Sequence, residues 1–166
     1  MLFLRIFLPI LVISYFGNFN SVKKTPPGTP YQLVVSDTIK NFSKTFYPKF
    51  KRKELVVKHL GYTVCYEEKF EQAKWVAYRL TAAMCNNNEE ERKDDFREDK
   101  AIKTGSAIPE DYKKTGYDRG HLCPAGDMAW SEIAMSESFY MSNMSPQDPK
   151  FNRGIWNKLE SQVREW

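Results

Sequence analysis

Apolar positions divide the chain into a leader, a polar joint and one patterned body. Residues 1–16, MLFLRIFLPILVISYF, are apolar apart from Arg5 and Ser14. One positive charge ahead of a run that is short for a comfortable membrane span is the pattern of a secretory leader. The following Phe16-Gly17-Asn18-Phe19-Asn20-Ser21 offers no clean pair of small residues for cleavage, so residues 1–21 read as a signal peptide or an N-terminal membrane anchor. Residues 22–31, with Lys23-Lys24-Thr25-Pro26-Pro27-Gly28-Thr29-Pro30, read as a linker. From residue 32 to 166 the pattern is that of a single domain without internal repeats. Glu54-Leu55-Val56-Val57 and Tyr62-Thr63-Val64-Cys65-Tyr66 have the β-branched and aromatic content of strands. Trp75-Val76-Ala77-Tyr78-Arg79-Leu80 is apolar on both alternating faces, as a buried central strand requires, although periodicity alone also permits a helix over 70–80.

Further along, NNNEEERKDDFREDKAIK (86–103) is dense in charges of both signs and predicts a solvated loop. Gly116 and Gly120 bracket a tight segment around Asp118 and His121, and glycine lets backbone approach a ligand closely. Phe139-Tyr140-Met141-Ser142 reads as a short strand. Pro146 and Pro149 interrupt the chain before a closing helix that starts near Asn152. At about 100° per residue, Ile155, Trp156, Leu159 and Val163 share an apolar face of that helix. Glu160 and Arg164, four apart, meet at its edge. One element thus predicts a buried apolar stripe and three polar groups, with Asn152, aimed into a cleft.

Composition narrows the class without choosing a function. The chain has 166 residues, 42% hydrophobic and 28% charged, which excludes a disordered chain and suits one modest core. A net charge of +4 is mildly basic and compatible with a polyanionic partner, but many basic proteins bind no nucleic acid. Cys65, Cys85 and Cys123 lack metal-ligand spacing and read as free, half-buried thiols.

The candidate chemistry starts with histidine. His59, in a strand-like segment, reads as structural. His121 differs because it follows a carboxylate and an arginine in a glycine-flanked turn. A neutral imidazole can take a proton from water, which makes it a natural general base. Arg119 presents a planar fork of donors that matches phosphate oxygens. Phosphodiester hydrolysis also needs charge stabilisation on the transition-state and leaving oxygens, which a divalent cation supplies. Magnesium keeps most of its waters and takes few protein ligands, all oxygen. The Asn152 carbonyl suits that role, with Glu160 accepting hydrogen bonds from metal-bound water. The alternative for Asn152 is a plain helix N-cap.

Three ordered stretches carry a resemblance. They are Tyr117-Asp118-Arg119-Gly120-His121-Leu122, Ser142-Asn143-Met144-Ser145-Pro146-Gln147, and Phe151-Asn152-Arg153-Gly154-Ile155-Trp156 followed by Leu159-Glu160. Together they resemble the core of the DNA/RNA non-specific endonuclease family, the endonuclease G-like nucleases of the ββα-metal or His-Me finger type. The resemblance implies an α+β fold with a central antiparallel sheet. It implies a catalytic set of His121, Arg119 and Glu160, with Asn152 as the sole direct protein ligand of Mg2+ (Mn2+ or another divalent cation being the alternatives). It further implies that Arg164 holds the scissile phosphate and that Asn143 supports substrate and base by hydrogen bonding. Asp118 is expected to orient the turn. DNA and RNA backbones are the implied partners, a protein inhibitor is conceivable, and no oligomeric state follows. Because family members continue past this point, the sequence is expected to carry the N-terminal and catalytic part of the domain and to lack the rest.

The leading expectation is a secreted or periplasmic nuclease, membrane-anchored if the leader is retained. A non-catalytic nucleic-acid-binding remnant and a phosphodiesterase acting on a smaller ester are the alternatives. Arginine and metal contacts to phosphate position a substrate without reading its sequence, which accounts for an absence of base specificity.

Overall fold

The computed structural model describes residues 10–13 and 47–166. The linker, and the leader apart from its short central segment, lie outside the described residues. Among the described residues no helix is long and apolar enough to cross a membrane.

The first sheet has the order β1-β4-β3-β2. It contains β1 (Ile10–Ile13), β2 (Leu55–Lys58), β3 (Tyr62–Glu67) and β4 (Gln72–Tyr78). The β2–β3 and β3–β4 pairs are antiparallel, and β1 lies parallel to β4. Alternation explains why β3 and β4 are apolar throughout. Tyr62 and Val64 of β3, with Val76 and Tyr78 of β4, pack against Leu122, Cys123, Met128 and Ala134. The opposite face places Cys65, Trp75 and Ala77 against Tyr47 and Val56. Both faces are covered, so residues 72–78 form the expected central strand and not a helix.

Beyond the sheet come α1 (Ala82–Asn86), β5 (Asp118–His121), α2 (Glu132–Glu137) and β6 (Met144–Gln147). The β5–β6 pair is antiparallel and sets His121 opposite Met144 and Arg119 opposite Pro146. The closing helix has three parts: α3 (Pro149–Phe151), a π-helical turn over Asn152–Trp156, and α4 (Asn157–Glu165). Two strands followed by this helix form the ββα unit of an α+β fold.

Several local readings are corrected. Residues 139–142 are not a strand. Met141–Asn143 forms a 3-10 turn closed by Asn143 N–H donating to the Tyr140 carbonyl, and the strand starts one residue after it. Pro146 lies within β6, tolerable because this two-stranded sheet leaves one edge unpaired. Pro149 is the first residue of the helix, and the cap is Asp148, whose carboxylate accepts from the Lys150 and Phe151 N–H groups. Asn152 is therefore not an N-cap. The charged run is not wholly solvated either. Asp99 and Ile102 are buried, and the Arg97 backbone bonds to Phe139 and Met141. The apolar stripe of the closing helix is largely open, with Ile155 63% exposed and Leu159 also exposed.

Candidate active site

His121 ends β5, and its ring is held by aromatic edges. Phe139 lies 5.0 Å away at 90° and Phe96 5.8 Å away at 60°. The residue is only 8% exposed. Burial, reinforced by the positive charges of Arg92 and Arg119, pushes the imidazole down to about 3. The ring is consequently neutral at any ordinary pH. Its Nε2 is buried without a hydrogen-bond partner. Arg119, two residues earlier in the strand, shares the His121 side of β5. Its guanidinium stacks 3.9 Å over the Phe96 ring and makes no ion pair among the described residues.

The glycine between them serves a different purpose from the one its sequence context suggests. A Cβ on Gly120 would lie 2.1 Å from the Gln147 side chain. The bare face of Gly120 admits Gln147 of the paired strand, not a ligand. Gly116 is in the left-handed region at φ +83°, and its turn sets the entry into β5.

Asn143 anchors the chain just past His121. Its Nδ2 donates to the carbonyls of Cys123 and Ser138 (2.9 and 2.8 Å), and its Oδ1 accepts from Cys123 N–H (2.9 Å). The Leu122 N–H donates to the Asn143 carbonyl at 3.0 Å. Asn143 is 0% exposed. Its expected part in holding substrate is corrected: the amide is wholly engaged and lies out of reach of a ligand, and its hydrogen bonds fix the backbone directly after His121.

The opposite wall belongs to the closing helix. Asn152 donates from Nδ2 to Asp118 Oδ2 at 3.0 Å. Arg153 grips the same carboxylate through Nε (2.8 Å) and Nη2 (2.6 Å). Those bonds, first of all that from Arg153, hold Asp118 below the usual carboxylate range. With Nδ2 committed, the Oδ1 of Asn152 is the atom left to serve a ligand.

The π turn that opens with Asn152 decides where this oxygen points. In a regular α-helix, residues 152 and 160 would be offset by roughly 80°, from eight steps of about 100°. A π turn advances each residue by roughly 80°, so five such residues remove about 100° of rotation. Asn152 and Glu160 are thereby brought almost into line. Glu160 is lifted to about 7, chiefly by burial and then by the Asp127 carboxylate. Arg164 does not pair with Glu160 but reaches Asp127, Nη1 to Oδ1 at 2.6 Å. Asp127 also accepts from the Tyr78 hydroxyl at 2.7 Å, and burial raises it despite those bonds.

His121, Arg119, Asn152, Glu160 and Arg164 line one cavity of about 510 Å³, together with Arg92, Arg153 and Gly126. Asn143 is the one predicted site residue not brought to it. Sequence reasoning missed Asp127, which fixes Arg164, and Arg92 and Arg153, which add positive charge. Asp127 had a signal, since it follows His121 by six residues in an apolar, proline-containing run. His59 is structural, as expected: Nε2 lies 3.0 Å from Asp99 Oδ2, and the ring packs against Tyr62 and Tyr140. The three cysteines are free, with Cys65 and Cys123 buried.

The cavity can be tested against a cation. Among the described residues no three His, Cys, Asp or Glu side chains cluster as a metal cage. The aligned donors are oxygens, one amide carbonyl and one carboxylate, which suits a hard divalent ion that keeps most of its waters.

Comparison with known proteins agrees with this geometry. Human mitochondrial endonuclease G is 38% identical over 105 residues, covering 63% of this chain and 35% of the relative. A nuclease from Nostoc is 38% identical over 113 residues, covering 67% and 40% respectively. A crystal structure of an EndoG/EndoGI complex, concerned with EndoG inhibition, superposes with a TM-score of 0.67 at 36% identity, covering 76% of this chain and 52% of that one. The chain thus spans about a third to a half of the length of these relatives. The family model for DNA/RNA non-specific endonucleases matches residues 40–166, and the chain belongs to that family.

Proposed function

We propose that this chain carries the catalytic centre of a divalent-cation-dependent endonuclease that hydrolyses phosphodiester bonds in DNA and RNA. The observation that carries the reading is the meeting of a neutral, dry-walled imidazole with the Asn152 and Glu160 oxygens in one arginine-lined cavity. The residues fit Mg2+, with Asn152 Oδ1 as the direct ligand and Glu160 receiving hydrogen bonds from the ion's waters. When bound, that ion supplies charge stabilisation at the phosphate and leaving oxygens.

His121 would accept the proton of the attacking water. Arg119, unpaired and stacked on Phe96, would present its fork to the scissile phosphate. Arg164, fixed by Asp127, would offset charge from the helix side. Asp118 would hold the Asn152 amide so that its carbonyl faces the ion. None of these groups reads a base edge, so cleavage is independent of sequence and weakens steeply with salt. Export directed by the apolar N-terminus, and control by a protein inhibitor as in the EndoG/EndoGI complex, complete the proposal.

The test is digestion of supercoiled plasmid and of RNA by the purified chain, with Mg2+ or with EDTA. Cleavage of both polymers that needs the metal and is lost in His121→Ala is the expected result. Intact polymers with folded protein and Mg2+ defeat the reading. Salt-sensitive binding without cleavage would instead identify a binding remnant.

A further inference from the structure

A second cavity of about 520 Å³ adjoins the first. The two share Arg92, Arg119, Asn152 and Arg153, so these residues form the partition between them. The new part of the wall comes from the segment that leads into β5. It contributes Pro109, Tyr112, Lys113 and Tyr117, with Phe96 opposite. None of these residues belongs to the hydrolytic set described above.

Its chemistry differs from that of the first cavity. Tyr117 is 45% exposed and lines this cavity beside four cationic side chains and the carboxylates of Asp94 and Asp118. The left-handed turn at Gly116 delivers it to the rim, directly before the strand that carries Arg119 and His121. Tyr112 is better buried, its hydroxyl accepting from Gln72 Nε2 at 3.2 Å, and it forms part of the floor. Arg119 lies face-on over Phe96, so one guanidinium serves both cavities. Lys113 pairs with Glu110 and Arg92 with Asp94 on the surface. Exposed pairs of that kind contribute little, because solvent screens them, and yield readily to a phosphate.

We propose that this cavity is a subsite for the nucleotide next to the scissile phosphate, in an unpaired strand. Tyr117 stacks on the base, and Lys113 holds the neighbouring phosphate. Stacking needs only a π-face, so the subsite adds affinity without base preference. It favours unpaired strands because a base in a duplex is already stacked on its neighbours. The ligand class is thus single-stranded DNA or RNA, or a frayed or looped segment of a duplex. This assignment rests on the nuclease reading of the first cavity, but its consequences for binding do not need turnover.

The experiment pairs two substrates with one binding assay. A fluorescent single-stranded oligonucleotide is titrated in EDTA against wild type, Tyr117→Ala, Tyr117→Phe and Lys113→Gln. The same proteins are then assayed with Mg2+ on that oligonucleotide and on a chromogenic minimal diester. Tyr117→Ala should weaken binding about fivefold to a hundredfold, the range for loss of one base–aromatic stack. Tyr117→Phe should restore it, and Lys113→Gln should lower the salt slope by about one contact. On the oligonucleotide the loss should fall on KM, with the minimal diester hydrolysed at the wild-type rate. Unchanged oligonucleotide binding by Tyr117→Ala, or an equal loss on the minimal diester, overturns the subsite. If no protein cleaves either substrate yet Tyr117→Ala still binds weakly, the subsite stands and the hydrolytic reading fails.

Discussion

Replacing Asn143 by alanine should cost more stability than any exposed substitution at the cavity rim, and the amount follows from three hydrogen bonds. The side chain satisfies the N–H and carbonyl of Cys123 and the carbonyl of Ser138, all at 2.8–2.9 Å and away from solvent. Each buried polar group left without a partner costs about 1–3 kcal/mol. Carbonyl oxygens relax more easily than an N–H, which places the total at about 3–5 kcal/mol, against a total stability of about 5–15 kcal/mol for such a domain. Asn143→Asp should do at least as badly, because it keeps the acceptor for Cys123 N–H but turns a carboxylate oxygen toward two carbonyls. Equilibrium urea unfolding followed by tryptophan fluorescence measures both. A loss below about 1 kcal/mol for alanine, with an unchanged m-value, would falsify the clamp. Oligonucleotide binding by the folded fraction of the alanine variant should match wild type, since Asn143 touches no ligand. A large binding defect with little destabilisation would return it to a substrate role.

His121 makes stability depend on pH. Unfolded, it takes a proton near 6.5; folded, it stays neutral down to about 3. The unfolded chain binds more protons in that window, so this contribution is present above 6.5 and is lost as pH falls toward 3. Glu160 acts oppositely: its folded value is raised to about 7, so its contribution is full below 4.5 and fades as pH rises through 7. Urea midpoints of wild type minus those of His121→Ala should fall with decreasing pH, and a flat difference refutes the burial argument. Asp118→Asn removes the Arg153 clamp and loosens the Asn152 amide; Mn2+ affinity measured by calorimetry should weaken by about 10–100-fold, as for other groups that orient a ligand. Deleting Gly154, whose surroundings are open, should return the π turn to α geometry and leave Asn152 and Glu160 almost in line, because the remaining α-helical steps between them sum to about 700°. Helical circular dichroism and Mn2+ affinity should both survive, and a collapse of affinity in a variant that stays helical would dispose of the phasing argument.

Much of this was legible because short-range pattern and burial agree. The apolar run at 75–78 announced a strand covered on both faces, and the glycine-flanked Asp118–His121 segment announced the strand that brings Arg119 and His121 to the cavity. What escaped notice depended on long-range pairing. Nothing in the local spacing says that Asn143 is consumed by Cys123 and Ser138, or that Arg164 passes over Glu160 to reach Asp127. The π turn escaped for a similar reason: a wheel drawn at a uniform 100° per residue cannot show an inserted residue. That wheel grouped Ile155 and Leu159 on a face expected to be buried, and both are exposed.

The cavity's two titratable groups are displaced by one cause in opposite directions. Burial penalises charge, so it lowers the imidazole and lifts the carboxyl. Near neutral pH His121 is therefore uncharged, whereas Glu160 is poised between its two forms. A cation arriving beside Asn152 would draw the proton from Glu160 and leave His121 unchanged, because burial, reinforced by the charges of Arg92 and Arg119, already opposes its protonation. Metal binding would then be coupled to release of a proton by the helix, and His121 on the strand would be insulated from that exchange. The two functions need this separation. A base that titrated with the ion's arrival would be charged and useless over part of the working range, while a carboxyl fixed as an anion in the empty cavity would carry an uncompensated buried charge beside Asp127. Placing His121 against Phe96 and Phe139 and Glu160 near Asp127 would let one hydrophobic fold meet both demands.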